Sequence, residues 1–134
     1  MNNINTVLSF LKECGVFYLA TTDNNIPKVR PFGIIDLIDN HLYMVTLKHK
    51  DVYKQIVANS RVQLCAMKSD GTWIRVNGNA ISVDDSAIKD QLLAMNQTTY
   101  DIYSNSKEEM IALRIDNGSA SISTENPEPI CFNF

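Results

Sequence analysis

Pro27-Lys28-Val29-Arg30-Pro31-Phe32-Gly33, followed after a tight turn at Asp39-Asn40 by Leu42-Tyr43-Met44-Val45-Thr46 and then by Lys48-His49-Lys50, is the stretch on which the reading of this chain turns. Its first two parts read as strands. Lys50 stands where the spacing becomes helical, with Val52, Tyr53, Ile56 and Val57 before an exit at Asn59-Ser60. A helix start carries unpaired N–H groups and the positive end of the helix dipole, so it favours an anion. A hydroxyl from Thr46 and charges from Arg30 and Lys50 would complete a phosphate site there.

Working outward, residues 28–37 read as one long strand, with Lys28, Arg30, Phe32 and Ile34 on one face and Val29, Gly33, Ile35 and Leu37 on the other. Pro27 and Pro31 cannot donate to a ladder, which predicts a sheet edge, a bulge or a ligand-facing segment. Upstream, Ile4, Val7, Leu8 and Leu11 share one face of a helix that ends at Gly15, and 16–22 is a strand closed by the turn Asp23-Asn24-Asn25. Downstream, strands 61–67 and 72–83 flank the hairpin signal Asp70-Gly71, with Ile74 and Val76 facing opposite to Trp73, Arg75 and Asn77. Gly78 permits a close backbone approach. Asp84-Asp85-Ser86 offers N-caps for a helix with Ile88, Leu92 and Met95 on one face, and a second short helical piece includes Tyr100 and Tyr103. Strands 110–116 and 119–124 around Asn117-Gly118 predict a terminal hairpin, with Ser119, Ser121 and Ser123 on its outer face. The whole predicts a mainly β fold: an antiparallel barrel of about six to seven strands with a few short helices.

A length of 134 residues with 45% hydrophobic content fits one domain over 1–134. A net charge of -3 argues against a general nucleic-acid binder, so any basic cluster is local. Cys14, Cys65 and Cys131 lie too far apart for a CxxC pair and read as buried thiols without a neighbouring base. Two histidines without clustered cysteines predict no metal site. No apolar run of about 18 residues and no signal-peptide pattern is present, so no membrane contact and a cytoplasmic location are expected.

The segments GVFYLAT, PKVRPFG, LYMVT, HKDVYKQIVANSRVQL and WIRVNGNA occur in an order that resembles the pyridoxamine 5′-phosphate oxidase-like proteins, over most of residues 15–80. The chain looks like the short, single-domain members, which include the nitroimidazole-resistance reductases. That resemblance implies the FMN-binding split β-barrel and a homodimer with FMN at the interface. It implies that Arg30 reaches the flavin phosphate, that Lys50 pairs with it, and that Val45 and Thr46 line the phosphate and ribityl chain. His49 stands where the family often has another basic residue. Pro31, Phe32 and Gly33 lead into the segment along the isoalloxazine ring. Trp73, with Arg75 on the same face, lies near a position from which the second chain reaches the flavin.

The sequence also departs from the parent oxidase. The arginine-rich C-terminal motif is missing, and apolar Ile34 and Ile35 stand where a second lysine is expected. These departures count against oxidation of pyridoxamine phosphate. The resemblance therefore implies an FMN-dependent oxidoreductase acting on a small-molecule acceptor, with NAD(P)H as electron donor. Two alternatives remain open: a non-catalytic flavin or haem carrier of the same fold, and pyridoxamine 5′-phosphate oxidase itself. No Ser-His or Cys-His arrangement suggests a protein nucleophile, which is consistent with chemistry carried by a cofactor.

Overall fold

In the computed structural model, which describes residues 2–134, the chain runs α1 (Asn3–Cys14), β1 (Phe17–Asp23), β2 (Ile26–Phe32), β3 (Asp36–Ile38), β4 (His41–Leu47), α2 (Asp51–Ala58), β5 (Arg61–Met67), β6 (Trp73–Val83), α3 (Ser86–Met95), α4 (Gln97–Tyr103), a 3-10 turn (Ser104–Ser106), β7 (Met110–Ser123) and β8 (Ile130–Asn133). Local chemistry sets most of these limits. The Asn2 side chain accepts from the Asn5 amide to start α1, and Gly15, at φ 78, ends it with its N–H on Leu11 O. Asn24 and Asn25, and again Asp39 and Asn40, take the paired positive φ values that two-residue hairpin turns require. In the β5–β6 turn Gly71 sits at φ 90, and the Asp70 carboxylate accepts the Thr72 amide.

The strands form one antiparallel sheet in the order β2-β1-β5-β6-β7-β4-β3, with β8 added on β7. Its two outermost strands, β2 and β3, are consecutive in the chain and joined by residues 33–35 alone. So short a link spans at most about 14 Å, and the sheet must therefore roll until its edges nearly meet. The result is the mainly β split barrel, closed by pairing everywhere except between β2 and the β3–β4 pair. Inside it Leu11, Phe17, Leu19, Leu42, Met44, Leu64, Ile74 and Leu113 are fully buried. A second cluster, of Ile34, Ile38, Tyr43, Val45, Leu92, Met110 and Ala112, packs α3 against β3, β4 and β7.

Several expectations change. The long strand 28–37 is two strands: β2 pairs only with β1, whereas β3 crosses the split to pair with β4 through Asp36 and Tyr43. Prolines at 27 and 31 leave β2 an edge that cannot extend its ladder, and consecutive Ile34 and Ile35 turn into the two different apolar clusters. Asn117-Gly118 is not a hairpin turn. β7 runs through it, and two residues there oppose the single Gly78 of β6 where the register shifts between Asn77 and Asn79. Asn117 has φ 54, the left-handed conformation that serves a β-bulge as well as a hairpin turn. The terminal hairpin instead turns at 124–129 and returns as β8. Among the described residues the strands number eight rather than six or seven. The cysteines are not buried thiols: Cys65 and Cys131 are exposed and Cys14 is half-buried. Val57 and Met95 are also exposed, because Gln55 and Lys89 occupy buried positions on those helices.

Candidate functional site

A cleft of about 430 Å³ opens along the split. One side is β2 and its continuation, with Arg30, Pro31, Phe32, Gly33 and Ile34; the other is the end of β4, with Val45 and Thr46. Lys50 and Val52 from the start of α2 close one end, and Thr98, Ile102 and Tyr103 of α4 form a third wall. The arrangement is segregated: Phe32, Ile34, Val45, Val52 and Ile102 give apolar walls, while Arg30, Thr46 and Lys50 gather polar groups. Such a cleft suits a flat apolar ligand that carries an anion.

Arg30 is held rather than free. Its Nη1 donates to Leu19 O at 3.2 Å and Thr21 Oγ1 at 2.7 Å, and its Nη2 donates to Gln55 Oε1 at 2.6 Å. Thr21 Oγ1 in turn donates to the same Gln55 oxygen at 2.6 Å. A guanidinium has five N–H donors, so this network fixes the plane and still leaves donors for a ligand. Burial pushes the Arg30 pKa below its ordinary value, and the Asp51 carboxylate pulls it back up. Lys50 is the extended residue before α2, whose start no side chain caps, so amides at that end are open to an acceptor. Thr46 is 5% exposed, and among the described residues its hydroxyl has no protein partner.

The pairing of charges singles out the same region. Lys12, Lys48, Lys68, Lys89, Lys107 and Arg114 each hold a carboxylate. Among the described residues Lys28, Arg30, Lys50, Lys54, Arg61 and Arg75 have no such ion pair, and the first four border this cleft or the recesses that continue from it. Of these only Arg30 and Lys50 line the cleft itself, and two unneutralised cations beside apolar walls are the electrostatic condition for taking up a phosphate there.

The expected residues are therefore divided by the structure. Arg30, Pro31, Phe32, Gly33, Val45, Thr46 and Lys50 line one cleft. Arg30 and Thr46 face each other across the split, not from paired strands, because β4 pairs with β3 and β7. His49 is exposed, lies 3.5 Å from Glu109 through Nδ1, and does not line the cleft. Trp73 and Arg75 are on the outer face of β6, with the guanidinium 4.8 Å from the indole centroid, and do not reach the cleft of their own chain. Sequence reasoning missed Thr21 and Gln55, which orient Arg30, and the α4 wall. A polar Gln55 between Val52 and Ile56 on an apolar helix face was the available signal. The α4 wall is tied down by Asp36, a buried carboxylate that accepts from Lys12 Nζ at 2.7 Å and from Asn96 Nδ2 at 3.2 Å. Asn96 itself caps α4. Burial raises the Tyr103 pKa, so its phenol stays protonated at neutral pH.

Among the described residues no group of three or more His, Cys, Asp or Glu could hold a metal, and no helix is long and apolar enough to cross a membrane. A family model described as pyridoxamine 5′-phosphate oxidase matches residues 5–121. A solved structure of a NimC/NimA family protein from Clostridium acetobutylicum superposes with a TM-score of 0.93 at 33% identity, over 98% of this chain and 92% of that one. General stress protein 26 from Bacillus anthracis str. Sterne gives 0.77 at 18% identity, over 100% of both chains. An FAD-binding protein from Mesorhizobium loti gives 0.66 at 18% identity, over 92% of this chain and 96% of that one. The last two establish a shared fold. Comparison with curated proteins finds no match.

Proposed function

The chain belongs to the pyridoxamine 5′-phosphate oxidase-like family, and from that premise we propose that it is an FMN-binding oxidoreductase that acts on a small-molecule acceptor. The observation that carries this reading is the cleft itself, where two cations without carboxylate partners and the unpartnered hydroxyl of Thr46, a residue only 5% exposed, lie at one end of apolar walls. A phosphate on a flat, largely apolar ring system satisfies all three groups at once. The FAD-binding neighbour of the same fold supports a flavin as that ring system.

Arg30, oriented by Thr21 and Gln55, and Lys50 at the mouth of α2 neutralise the phosphate dianion. Thr46 donates to it or to the sugar alcohol beside it. Phe32, Ile34, Val45 and Val52 bury the ring and exclude water, which strengthens every polar contact within the cleft. Tyr103 offers a protonated hydroxyl from the α4 side. A bound flavin would supply two-electron chemistry, accepting from a reduced nicotinamide and donating to a conjugated or nitro-aromatic acceptor.

The partner in this reading is a second copy of the chain. Tyr18 and Met67 are exposed large residues on the outer face of the sheet, level with Cys65 and Trp73 in the register of β1, β5 and β6. A two-fold pairing through this face would cover it and bring the partner's Trp73 and Arg75 toward the flavin.

The test is a visible spectrum of the FMN-loaded protein followed through anaerobic addition of NADH or NADPH. Bleaching of the flavin band, and nicotinamide consumption that depends on a nitro-aromatic acceptor, are expected. Efficient formation of pyridoxal phosphate from pyridoxamine phosphate would overturn the acceptor assignment. A flavin that neither nicotinamide reduces would favour the carrier.

A further inference from the structure

The cleft does not end at the phosphate position. Arg30 and Lys50 also border a second recess of about 370 Å³, lined besides by Lys28, Asp51 and Gln55. That recess shares Asp23, Asp51 and Gln55 with a third, of about 480 Å³, between the β1–β2 turn and α2, where Asn24, Asn25 and Lys54 complete the walls. The three form one groove. It begins apolar, passes the cations, and ends in amides and carboxylates.

Gln55 marks the groove as a place for a ligand. It is 9% exposed, and the atom that faces Arg30 must be its oxygen, because a guanidinium only donates. Its amide nitrogen is thereby turned elsewhere and has no acceptor among the described residues, in a side chain that borders both outer recesses. Lys28 lies two residues from Arg30 on β2, about 7 Å along the same face. Neither Lys28 nor Lys54 has an ion pair among the described residues, so Lys28, Arg30, Lys50 and Lys54 outweigh Asp23 and Asp51 along the groove. The Asn24 and Asn25 amides likewise have no hydrogen bond among the described residues, and a side-chain amide presents the donor and acceptor pair that matches the N6 and N7 edge of adenine. A carboxylate such as Asp23 suits ribose hydroxyls.

We propose that this groove takes a flavin dinucleotide: beyond the FMN moiety, a second phosphate lies against Lys28 and Gln55, and an adenosine occupies the recess of Asn24, Asn25 and Lys54. The proposal rests on the flavin reading above and extends it. Calorimetric titration of the full chain with FMN and with FAD tests it, alongside the double variant Lys28→Ala/Lys54→Ala. Both lysines are exposed, so the fold should be unaffected. FAD is expected to bind at least ~10-fold more tightly than FMN, and the double variant to abolish that advantage while FMN affinity stays within about twofold. Asn25→Asp, which keeps the left-handed turn, should weaken FAD alone. FAD binding no tighter than FMN, or a double variant that weakens both ligands equally, overturns the dinucleotide groove and leaves the FMN site standing. Failure of both ligands to bind overturns the groove and the flavin reading together.

Discussion

Arg30 takes its aim from Thr21 and Gln55, whose side-chain oxygens accept from its guanidinium. Its place beside Thr46 and Lys50 was legible because strand alternation and the change to helical spacing bring the three to one region. The network that aims it was not legible, since Gln55 is 25 positions away and reaches it only after α2 packs on β1. Gln55→Ala should therefore weaken FMN binding by about 1–2 kcal/mol through a loosened guanidinium, with a smaller effect on riboflavin in the same titration. Asp84 contributes to acid stability, as do Asp70 and Asp116, whose pKa values are also held down. Asp84 accepts from Lys89 at 2.6 Å and Lys48 at 3.0 Å, and these bonds hold its pKa below the ordinary 3.8. A depressed carboxylate pKa stabilises the fold fully above the unfolded value. That contribution is lost as pH falls through the lower, folded value. Chemical denaturation should find Asp84→Asn less stable than wild type at neutral pH, because buried Lys89 loses its carboxylate, with the difference shrinking below about pH 3.8.

At the scale of elements, periodicity identified α1, β1, β4, β5, β6 and the first strand edge, where side-chain alternation and turn residues act locally. It failed where pairing partners decide. No local signal tells that residues 36–38 leave β2 for β4, or that the left-handed residue at Asn117 is spent on a bulge. The bulge leaves Gly78 facing β7 so closely that a Cβ there would lie 2.8 Å from Ile115 Cγ2 and 3.0 Å from Asp116 O. Since one obstacle is backbone, Gly78→Ala should destabilise by about 1–3 kcal/mol, seen as a lowered thermal midpoint, whereas Gly71→Asn in the open β5–β6 turn meets no atom and should cost only the backbone strain of a side chain at φ 90, about 1 kcal/mol. The α4 wall was only half legible: a helical piece containing Tyr103 was expected, but its attachment through Asn96 and Asp36 joins residues 60 apart.

For the whole molecule, the sheet leaves one face with Tyr18, Cys65, Met67, Trp73 and Arg75 uncovered by helices, and the proposed dimer covers it. Met67→Glu, at a position 67% exposed, should leave the monomer folded and shift light scattering from twice the chain mass to once, with weaker FMN binding as the partner's lid is lost. An unchanged mass would place the interface elsewhere. The split between β2 and β4 matters more, because it is where the rolled sheet creates a cleft at all, and the proposed flavin phosphate lies there between Arg30, Thr46 and Lys50. The most direct measurement is a paired titration of the wild type and Lys50→Ala with FMN and riboflavin, which differ only in that phosphate. Wild type should prefer FMN, and Lys50→Ala should cost FMN about 1.5–3 kcal/mol while riboflavin affinity barely moves. Equal affinities in the wild type, or equal losses for the two ligands, would contradict the phosphate site.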